Sequence, residues 1–170
     1  MTVLITGGGG FIGWNLATRL AAEGTQVVVL DNYSSSTRKP EPRGVTIEEG
    51  DTTAHPYMPG GPFDTIYHLA SVASPPRYLD DPIGTLMAGG EGTRYVLDRA
   101  ETDGSVFVFA STSEIYGDPD VTPQPESYFG NVDVTSTRAC YDEAKRYGEA
   151  LVHAYPVSYT HLTLPTTPYV

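Results

Sequence analysis

The sequence predicts an α/β fold in which a parallel sheet is doubly wound, with helices on both faces. Short apolar stretches rich in β-branched residues recur along the chain, and segments with helical spacing of apolar residues lie between them. A glycine-rich turn separates the first apolar stretch from the first helical segment. This alternation of strands and helices is typical of a parallel sheet covered on both sides.

Five segments have the composition of strands that are buried on both faces. Residues 3–5 read Val-Leu-Ile, and residues 26–30 contain three consecutive valines. Continuous apolar stretches of this length, bounded by turn residues, are typical of strands inside a parallel sheet. The predicted strands are residues 3–5, 26–30, 45–48, 65–70 and 106–110.

Three segments are predicted to be helices because their apolar residues recur every three or four positions. These helices are residues 11–22, 82–100 and 137–154, with loops expected at 32–43 and 117–134. Glycines at positions 89, 90 and 92 each weaken the second helix by about 1 kcal/mol relative to alanine. The residues of that helix expected to face the core are Ile83, Leu86, Met87, Val96 and Leu97.

Composition excludes several classes of function. Apolar residues make up 39% of the chain and charged residues 18%, values that fit a globular protein. The net charge of −11 disfavours binding to nucleic acid or to an anionic membrane. Cys140 is the single cysteine, so neither an intramolecular disulfide nor a thiolate metal cluster is expected, and no metal site is predicted. No segment approaches the roughly 20 apolar residues of a membrane span, and we expect a cytoplasmic protein.

The end of the chain, residues 157–170, is expected to be a non-native tail. It carries no Asp, Glu, Lys or Arg and has neither helical nor strand periodicity. Residues 157–167 are identical to one translated reading frame of a sequencing adapter. The alternative is a genuine segment rich in threonine and proline. We therefore assign residues 1–156 to one incomplete domain and expect a C-terminal substrate domain to be missing.

The glycine-rich turn predicts a site for a dinucleotide. Gly7, Gly10 and Gly13 lie between the first predicted strand and the first predicted helix. The first glycine permits a tight turn, the second lets the backbone approach a pyrophosphate, and the third lets the helix pack on the strand. The helix N-terminus then offers free N–H groups to the phosphates. Glycines also mark ordinary turns, but the strand–turn–helix context favours the cofactor.

Two acidic residues are expected near the adenosine half of this cofactor. Asp31 ends the second predicted strand, where its carboxylate can accept hydrogen bonds from both ribose hydroxyls. Its charge would repel a 2′-phosphate, so NAD is favoured over NADP. The alternative is a turn-forming aspartate. Asp51, after the third strand, is expected near the adenine.

A tyrosine and a lysine are candidates for proton transfer. Tyr141 and Lys145 are four residues apart in a predicted helix, so their side chains reach the same region. A free tyrosine has a pKa near 10 and is a poor base at neutral pH. A nearby ammonium and a positive nicotinamide ring would lower that pKa. The alternative is a half-buried tyrosine packed over the lysine stem.

Polar residues follow the fifth predicted strand, at the edge of the sheet where open α/β folds bind ligands. Thr112 can form a hydrogen bond with a reacting hydroxyl. Ser113 and Glu114 can interact with the sugar carbon next to the one that carries this hydroxyl. The alternative for Glu114 is a solvated loop acid.

Together these motifs resemble the extended short-chain dehydrogenase/reductase family, the NAD-dependent epimerase/dehydratases. Thr-Gly-Gly-Gly-Gly-Phe-Ile-Gly at residues 6–13 and the Tyr141–Lys145 pair carry the resemblance, which extends from residue 1 to about residue 155. It implies a Rossmann-like fold and NAD as cofactor. The residues then expected to bind NAD are Gly7, Gly10, Phe11, Ile12, Gly13, Asp31, Asn32, Asp51, Thr52, Leu69, Ala70, Tyr141 and Lys145.

Within that family, three stretches resemble the UDP-glucuronate decarboxylases: residues 68–78 followed by Pro82-Ile83, residues 111–119, and residues 128–132 with 138–143. The resemblance implies NAD-dependent conversion of UDP-glucuronate to UDP-xylose through a 4-keto intermediate. Tyr141, helped by Thr112 and Lys145, would deprotonate the C4 hydroxyl. Glu114 and Ser113 would position the carboxylate and assist protonation at C5. Arg77 and Tyr78 are expected along the cleft for the UDP-sugar.

Other functions remain open at this stage. The chain is also compatible with another nucleotide-sugar 4-epimerase or 4,6-dehydratase. A different class is a non-catalytic NAD-binding module, because the expected substrate domain is missing and the fragment is expected to be inactive alone. The resemblance implies a homodimer for the full-length protein, formed by the helices at 82–100 and 137–154.

Overall fold

A computed structural model describes residues 1–54 and 58–155, so the expected tail at 157–170 lies outside the described residues. Five strands pair in the order β3-β2-β1-β4-β5, and every pairing is parallel. The strands are β1 (Thr2–Thr6), β2 (Gln26–Asp31), β3 (Val45–Glu49), β4 (Thr65–His68) and β5 (Val106–Phe109).

The helices include one that the sequence did not predict, between β4 and the helix expected at 82–100. The α-helices are α1 (Phe11–Ala22), α2 (Pro75–Asp80), α3 (Pro82–Met87), α4 (Thr93–Asp103) and α5 (Ala139–Ala154). A π-helix, Ala88–Gly92, joins α3 to α4, and a 3-10 helix, Ser113–Tyr116, follows β5.

The core lies on both faces of the sheet because successive side chains of a strand point to opposite sides. Leu4 packs in a cluster with Val96 and Leu97 of α4. Its neighbours on β1, Val3 and Ile5, pack on the other face in a cluster that α1 completes. Helices therefore cover both faces, which confirms the predicted doubly wound α/β fold.

The strand order creates a crevice at one edge of the sheet. β1 is central and pairs with β2 on one side and with β4 on the other. In open α/β sheets, the point where the strand order reverses leaves a crevice outside the carboxyl ends of the strands. β1 ends at Thr6, directly before the glycine turn, and β4 ends at His68.

The predicted helix over residues 82–100 is interrupted, and part of its predicted core face is wrong. Val96 and Leu97 are fully buried, whereas three side chains of α3 are exposed. The π-helix between α3 and α4 has more residues per turn than an α-helix. The side chains that follow it therefore point in a different direction, and one apolar face does not run through both helices. The exposed side chains are Ile83, Leu86 and Met87.

Glycine permits a close crossing between the π-helix and α5. A Cβ atom at Gly89 would lie 2.5 Å from the Cβ of Ala144 and 2.9 Å from its carbonyl oxygen. A Cβ atom at Gly148 would lie 2.6 Å from the ring of Phe109. With a residue larger than glycine at position 89, α5 could not lie this close to the π-helix. With one at position 148, α5 could not lie this close to Phe109 of β5.

Candidate functional site

A cavity of about 440 Å³ opens in the crevice at the carboxyl ends of the strands. Its volume is in the range of pockets that hold small molecules. Gly7 and Gly10 of the glycine turn contribute to its wall. The other predicted cofactor residues that line it are Asp31, Asn32, Asp51, Thr52, Leu69 and Ala70.

The glycine turn has the close contacts that the sequence predicts. Gly7 has a φ of +70°, and a Cβ atom there would lie 2.7 Å from the backbone of Leu69 and Ala70. A Cβ atom at Gly13 would lie 2.6 Å from the carbonyl oxygen of Gly7. Any larger residue at either position would therefore push the turn away from β4 or α1 away from the turn.

The N-terminus of α1 faces this turn with free donors. Its first helical hydrogen bond runs from Trp14 N to Gly10 O, at 3.0 Å, and Gly10 supplies no side-chain cap. The N–H groups that precede this bond are suited to an anion. Phe11 and Ile12 have side chains that are 86% and 70% exposed, and neither lines the cavity, so their expected contribution to a cofactor is through the backbone N–H groups at the start of α1.

Asp31 is held in place by the segments on either side of it. Its Oδ2 accepts a hydrogen bond from Gly9 N at 2.8 Å. Its Oδ1 accepts bonds from Tyr33 N at 2.8 Å and from the Ser36 hydroxyl at 3.2 Å. The carboxylate is thereby fixed at the end of β2, on the wall of the cavity.

Asp51 and Asn32 form a second polar pair on the same wall. Asn32 Nδ2 donates to Asp51 Oδ2 at 2.8 Å, and Thr53 N donates to Asp51 Oδ1 at 2.8 Å. Burial acts to raise the pKa of Asp51, but these hydrogen bonds outweigh it, and the pKa is lowered. Asp51 is therefore an ionised acceptor beside the cavity.

Tyr141 and Lys145 lie one turn apart on α5 and are buried, with exposed fractions of 7% and 4%. The ammonium of Lys145 donates to the carbonyl oxygen of Ala110, 2.7 Å away, and lies 5.0 Å from the centre of the Phe109 ring. Burial lowers the pKa of Lys145 to about 8, while Glu149 opposes the shift. The lysine thus ties the helix that carries the candidate base to the residue after β5.

The predicted lowering of the Tyr141 pKa is not what the surrounding protein groups produce. Burial is the largest cause and raises the pKa of Tyr141, while a hydrogen bond with the side chain of Thr112 opposes the rise. The four-residue spacing correctly predicted that Lys145 lies one turn from Tyr141 on the same helix. It did not show that the ammonium is directed to a backbone oxygen rather than to the phenol.

Arg77 and Tyr78 have different environments. Arg77 lines the cavity and donates to the carbonyl oxygen of Ser34 at 2.7 Å. Tyr78 is 1% exposed, and its ring stacks on that of Tyr141, with centroids 5.3 Å apart and planes 6° from parallel. Tyr78 therefore supports Tyr141 from behind, a position that differs from the cleft position predicted from the sequence.

Of the three candidate residues after β5, Thr112 lies beside Tyr141, to which its side chain is hydrogen-bonded. Thr112 directly precedes the 3-10 helix, and its hydroxyl oxygen accepts a hydrogen bond from Glu114 N at 3.3 Å. Ser113 is the first residue of that helix. Glu114 forms an ion pair with Arg138, the residue directly before α5. Glu114 is thus held by a cation, in contrast to a loop acid surrounded only by solvent.

A buried polar chain that was not predicted runs behind the glycine turn. His68, the last residue of β4, is 1% exposed and lies between two threonines. Its Nδ1 is 2.7 Å from Thr6 Oγ1, and its Nε2 is 3.0 Å from Thr93 Oγ1. Burial, with the charge of Lys145, lowers the pKa of His68 to about 3, so the ring is neutral. This chain connects β1, β4 and α4.

Residues 1–54 and 58–155 contain no group of three or more His, Cys, Asp or Glu side chains arranged to hold a metal ion. In the same ranges, no helix is both long enough and apolar enough to cross a membrane.

The sequence was then compared with known protein families. Residues 3–167 match the NAD dependent epimerase/dehydratase family. The chain belongs to this family. Residues that carry the family resemblance lie in two parts of this fold. Glycines of the motif line the cavity, and Tyr141 and Lys145 lie on α5.

Individual members of the NAD dependent epimerase/dehydratase family agree with this assignment. UDP-glucuronic acid decarboxylase 1 of Xenopus tropicalis is 42% identical over 157 residues, an alignment that covers 90% of this chain and 37% of that protein. A solved UDP-galactose 4-epimerase is 30% identical and superposes with a TM-score of 0.84, covering 96% of this chain and 55% of that one. The chain therefore spans well under two thirds of the length of these relatives.

A further solved relative contains the cofactor. The UDP-glucose 4-epimerase of Thermus thermophilus, in complex with NAD, is 28% identical to this chain and superposes with a TM-score of 0.78. The alignment covers 96% of this chain and 53% of that one.

Proposed function

We propose that the complete protein containing this chain converts UDP-glucuronate to UDP-xylose, with NAD as a cofactor that is regenerated in each cycle. The observation that carries the proposal is the cluster of Thr112, Tyr141 and Lys145. It is linked to the glycine-turn cavity through α2, where Tyr78 stacks on Tyr141 and the adjacent Arg77 lines the cavity. The similarity to UDP-glucuronic acid decarboxylases, between 37% and 42% identity, supports this substrate.

The residues of the cavity fit a dinucleotide. A Cβ atom at Gly7 or Gly13 would clash with neighbouring backbone, so the turn keeps its tight form only with glycine at these positions. The first N–H groups of α1 can hold a pyrophosphate. Asp31 has acceptor capacity for ribose hydroxyls in addition to its three hydrogen bonds within the protein. When bound, NAD supplies a hydride acceptor, and later a hydride donor, for C4 of the sugar.

Tyr141 accepts the proton of the C4 hydroxyl in this proposal. Burial raises its pKa, so the phenolate needs stabilisation, and the hydroxyl of Thr112 supplies one hydrogen bond for it. Lys145 adds a buried positive charge one turn away, although its ammonium is bonded to Ala110. The stack with Tyr78 fixes the plane of the phenol and restricts the direction from which the sugar approaches.

Loss of hydride and proton at C4 leaves a ketone that is β to the C6 carboxylate. The electron pair of the C5–C6 bond then moves toward that carbonyl, and CO2 leaves. Ser113 and Glu114 assist protonation at C5, and return of hydride and proton to C4 gives UDP-xylose. This assignment uses Glu114 as a polar group near the sugar carboxylate.

A second candidate activity is 4-epimerisation of a UDP-sugar. The observation in its favour is the close superposition on a UDP-galactose 4-epimerase, with a TM-score of 0.84. Both reactions begin with removal of hydride and proton at C4, so the same tyrosine serves either one. They differ in whether the oxidised sugar carries a carboxylate that can leave.

A homodimer is the proposed assembly. The exposed apolar side chains of α3, with the half-exposed ring of Tyr147 on α5, form a face that a second copy can cover. This face is adjacent to the helix that carries Tyr141, so dimer formation would also stabilise the candidate site.

The test uses the complete protein, NAD and UDP-glucuronate, with release of CO2 and formation of UDP-xylose followed by mass spectrometry. UDP-glucose is the parallel substrate. We expect CO2 from UDP-glucuronate and no UDP-galactose from UDP-glucose. Formation of UDP-galactose without CO2 would establish the epimerase, and NAD binding without turnover of either sugar would indicate a binding module.

A further inference from the structure

Two arginines hold the 3-10 helix that carries Ser113 and Glu114 against α5. Arg138, directly before α5, forms an ion pair with Glu114. Arg146, two turns later, donates to the carbonyl oxygen of Ile115 at 2.7 Å. The position of the helix that presents Glu114 therefore depends on cations from α5.

Between these arginines lies a buried acid that is not fully paired. Asp142 is 5% exposed, and within the described part of the chain its Oδ1 has no hydrogen-bond partner. Burial raises the pKa of Asp142, while the charge of Arg138 opposes the rise. A buried carboxylate oxygen without a donor destabilises the folded protein. A second arrangement that brings a donor to this oxygen would relieve that destabilisation.

Arg138 is a donor within reach, whereas Lys145 and Arg146, also one turn from Asp142, donate to the carbonyl oxygens of Ala110 and Ile115. Asp142 N donates to the carbonyl oxygen of Arg138 at 3.1 Å, so the two residues are one helical turn apart. Side chains at this spacing are neighbours on the helix surface. The Arg138 side chain is 51% exposed and can move, and its guanidinium has several donors.

We propose that the guanidinium of Arg138 is exchanged between Glu114 and Asp142, so that its movement to Asp142 releases Glu114 for the substrate. This inference rests on the proposed function, because it concerns how Glu114 becomes available at that site. In one arrangement Arg138 neutralises Glu114 and Asp142 Oδ1 is unpaired. In the other, Asp142 gains a partner and Glu114 is free to face the sugar carboxylate and C5. Asp142 and Arg138 are positioning residues for Glu114 in this scheme.

The first experiment is a crystal structure of the Glu114→Gln variant of the complete protein. Without the Glu114 charge, Asp142 is the carboxylate left for Arg138. We expect the guanidinium within hydrogen-bond distance of Asp142 Oδ1. An Arg138 that extends into solvent while Asp142 Oδ1 stays unpaired would overturn the exchange. This readout does not depend on which sugar the enzyme uses.

The second experiment measures decarboxylation by Asp142→Asn, by Arg138→Gln and by the double variant. Asp142→Asn removes the alternative partner and keeps Arg138 on Glu114, so kcat should fall about ten-fold with little change in KM. In the Arg138→Gln background Glu114 is already released, and Asp142→Asn should then have no further effect on kcat. Glu126→Gln, which removes a negative charge from an exposed position before α5, is the control and should retain the wild-type kcat.

The outcomes separate the two proposals. Equal kcat for Asp142→Asn and the wild type, or an equal fall of kcat in both backgrounds, would refute the exchange, because a purely structural acid acts independently of Arg138. A wild-type protein that releases no CO2 would refute the decarboxylase, while the Glu114→Gln structure would still decide whether Arg138 moves.

Discussion

The ring of Tyr78 lies flat against the ring of Tyr141, with the two centroids 5.3 Å apart and the planes 6° from parallel. Tyr78 belongs to α2, which borders the cavity through Arg77, whereas Tyr141 belongs to α5. The stack is therefore a direct contact between the wall of the cofactor cavity and the candidate base. It also places a second phenol directly behind the one expected to transfer a proton.

The first prediction concerns this stack. Tyr78→Phe should keep the ring contact and change the free energy of unfolding little, whereas Tyr78→Ala should lower it by about 3–5 kcal/mol because the ring is fully buried. Urea unfolding of the complete protein measures both values. A Tyr78→Ala variant as stable as Tyr78→Phe would show that the stack contributes nothing.

The second prediction concerns Tyr141. Tyr141→Phe retains the stacked ring but removes the only group proposed to accept the C4 proton, so turnover should fall by about 10²–10⁴-fold. Binding of NAD, measured by calorimetry on the complete protein, should change little. Turnover at the wild-type rate would exclude Tyr141 as the base.

The third prediction concerns the crossing of the π-helix and α5. Gly89→Ala would place a Cβ atom 2.5 Å from that of Ala144, and overpacking of this kind lowers the free energy of unfolding by about 1–3 kcal/mol. Gly60→Ala is the matched control, because a Cβ atom there meets nothing within 4 Å. Thermal unfolding of both variants should show a lowered midpoint for Gly89→Ala alone. Equal midpoints would mean that α5 moves away from position 89 without loss of stability.

The fourth prediction concerns His68 and pH. Its pKa is about 3 in the folded protein, whereas the ordinary value for a histidine in an unfolded chain is 6.5. Between these values the unfolded chain binds a proton that the folded protein does not, so the free energy of unfolding falls as the pH falls. The ring contributes at most about 1.4 kcal/mol per pH unit to that slope.

The measurement is urea unfolding between pH 6.5 and 5, where the carboxylates titrate least. His68→Gln should show a shallower decline with falling pH than the wild type, although it will be less stable overall. His153→Gln, at an exposed position near the end of α5, should keep the wild-type slope. If the free energy of unfolding of His68→Gln declined with falling pH as steeply as that of the wild type, His68 would not be a neutral, buried ring in the folded protein.

The sheet and the glycine turn were predictable because their signals are local. Buried parallel strands need continuous apolar stretches, and Gly7 and Gly13 occupy positions where the backbone itself excludes a side chain. The sequence therefore predicted all five strands, with ends within two residues of those observed. Helical spacing likewise predicted that Tyr141 and Lys145 lie one turn apart on one helix, while their candidate role depended on the glycine motif that precedes them.

The remaining features depend on contacts between distant segments. The break in the predicted helix at 82–100 follows from the approach of α5 to Gly89, which no periodicity in that helix reveals. The direction of the Tyr141 pKa depends on burial by other elements and on where the Lys145 ammonium points. Asp142 and Arg138 were missed because their importance comes from Glu114, on a separate loop.

The three hydrogen bonds at Asp31 also bear on the thermodynamics of cofactor binding. Donors from the glycine turn and from the segment after β2 already fix the orientation of this carboxylate. A ribose that binds to it need not restrict a freely rotating side chain, so the association loses less conformational entropy. The same donors make the carboxylate slow to reorient. If Asp31 binds the ribose as proposed, a ligand with a differently placed hydroxyl pair would meet a rigid template, and we expect selectivity for the sugar of the cofactor to follow from that rigidity.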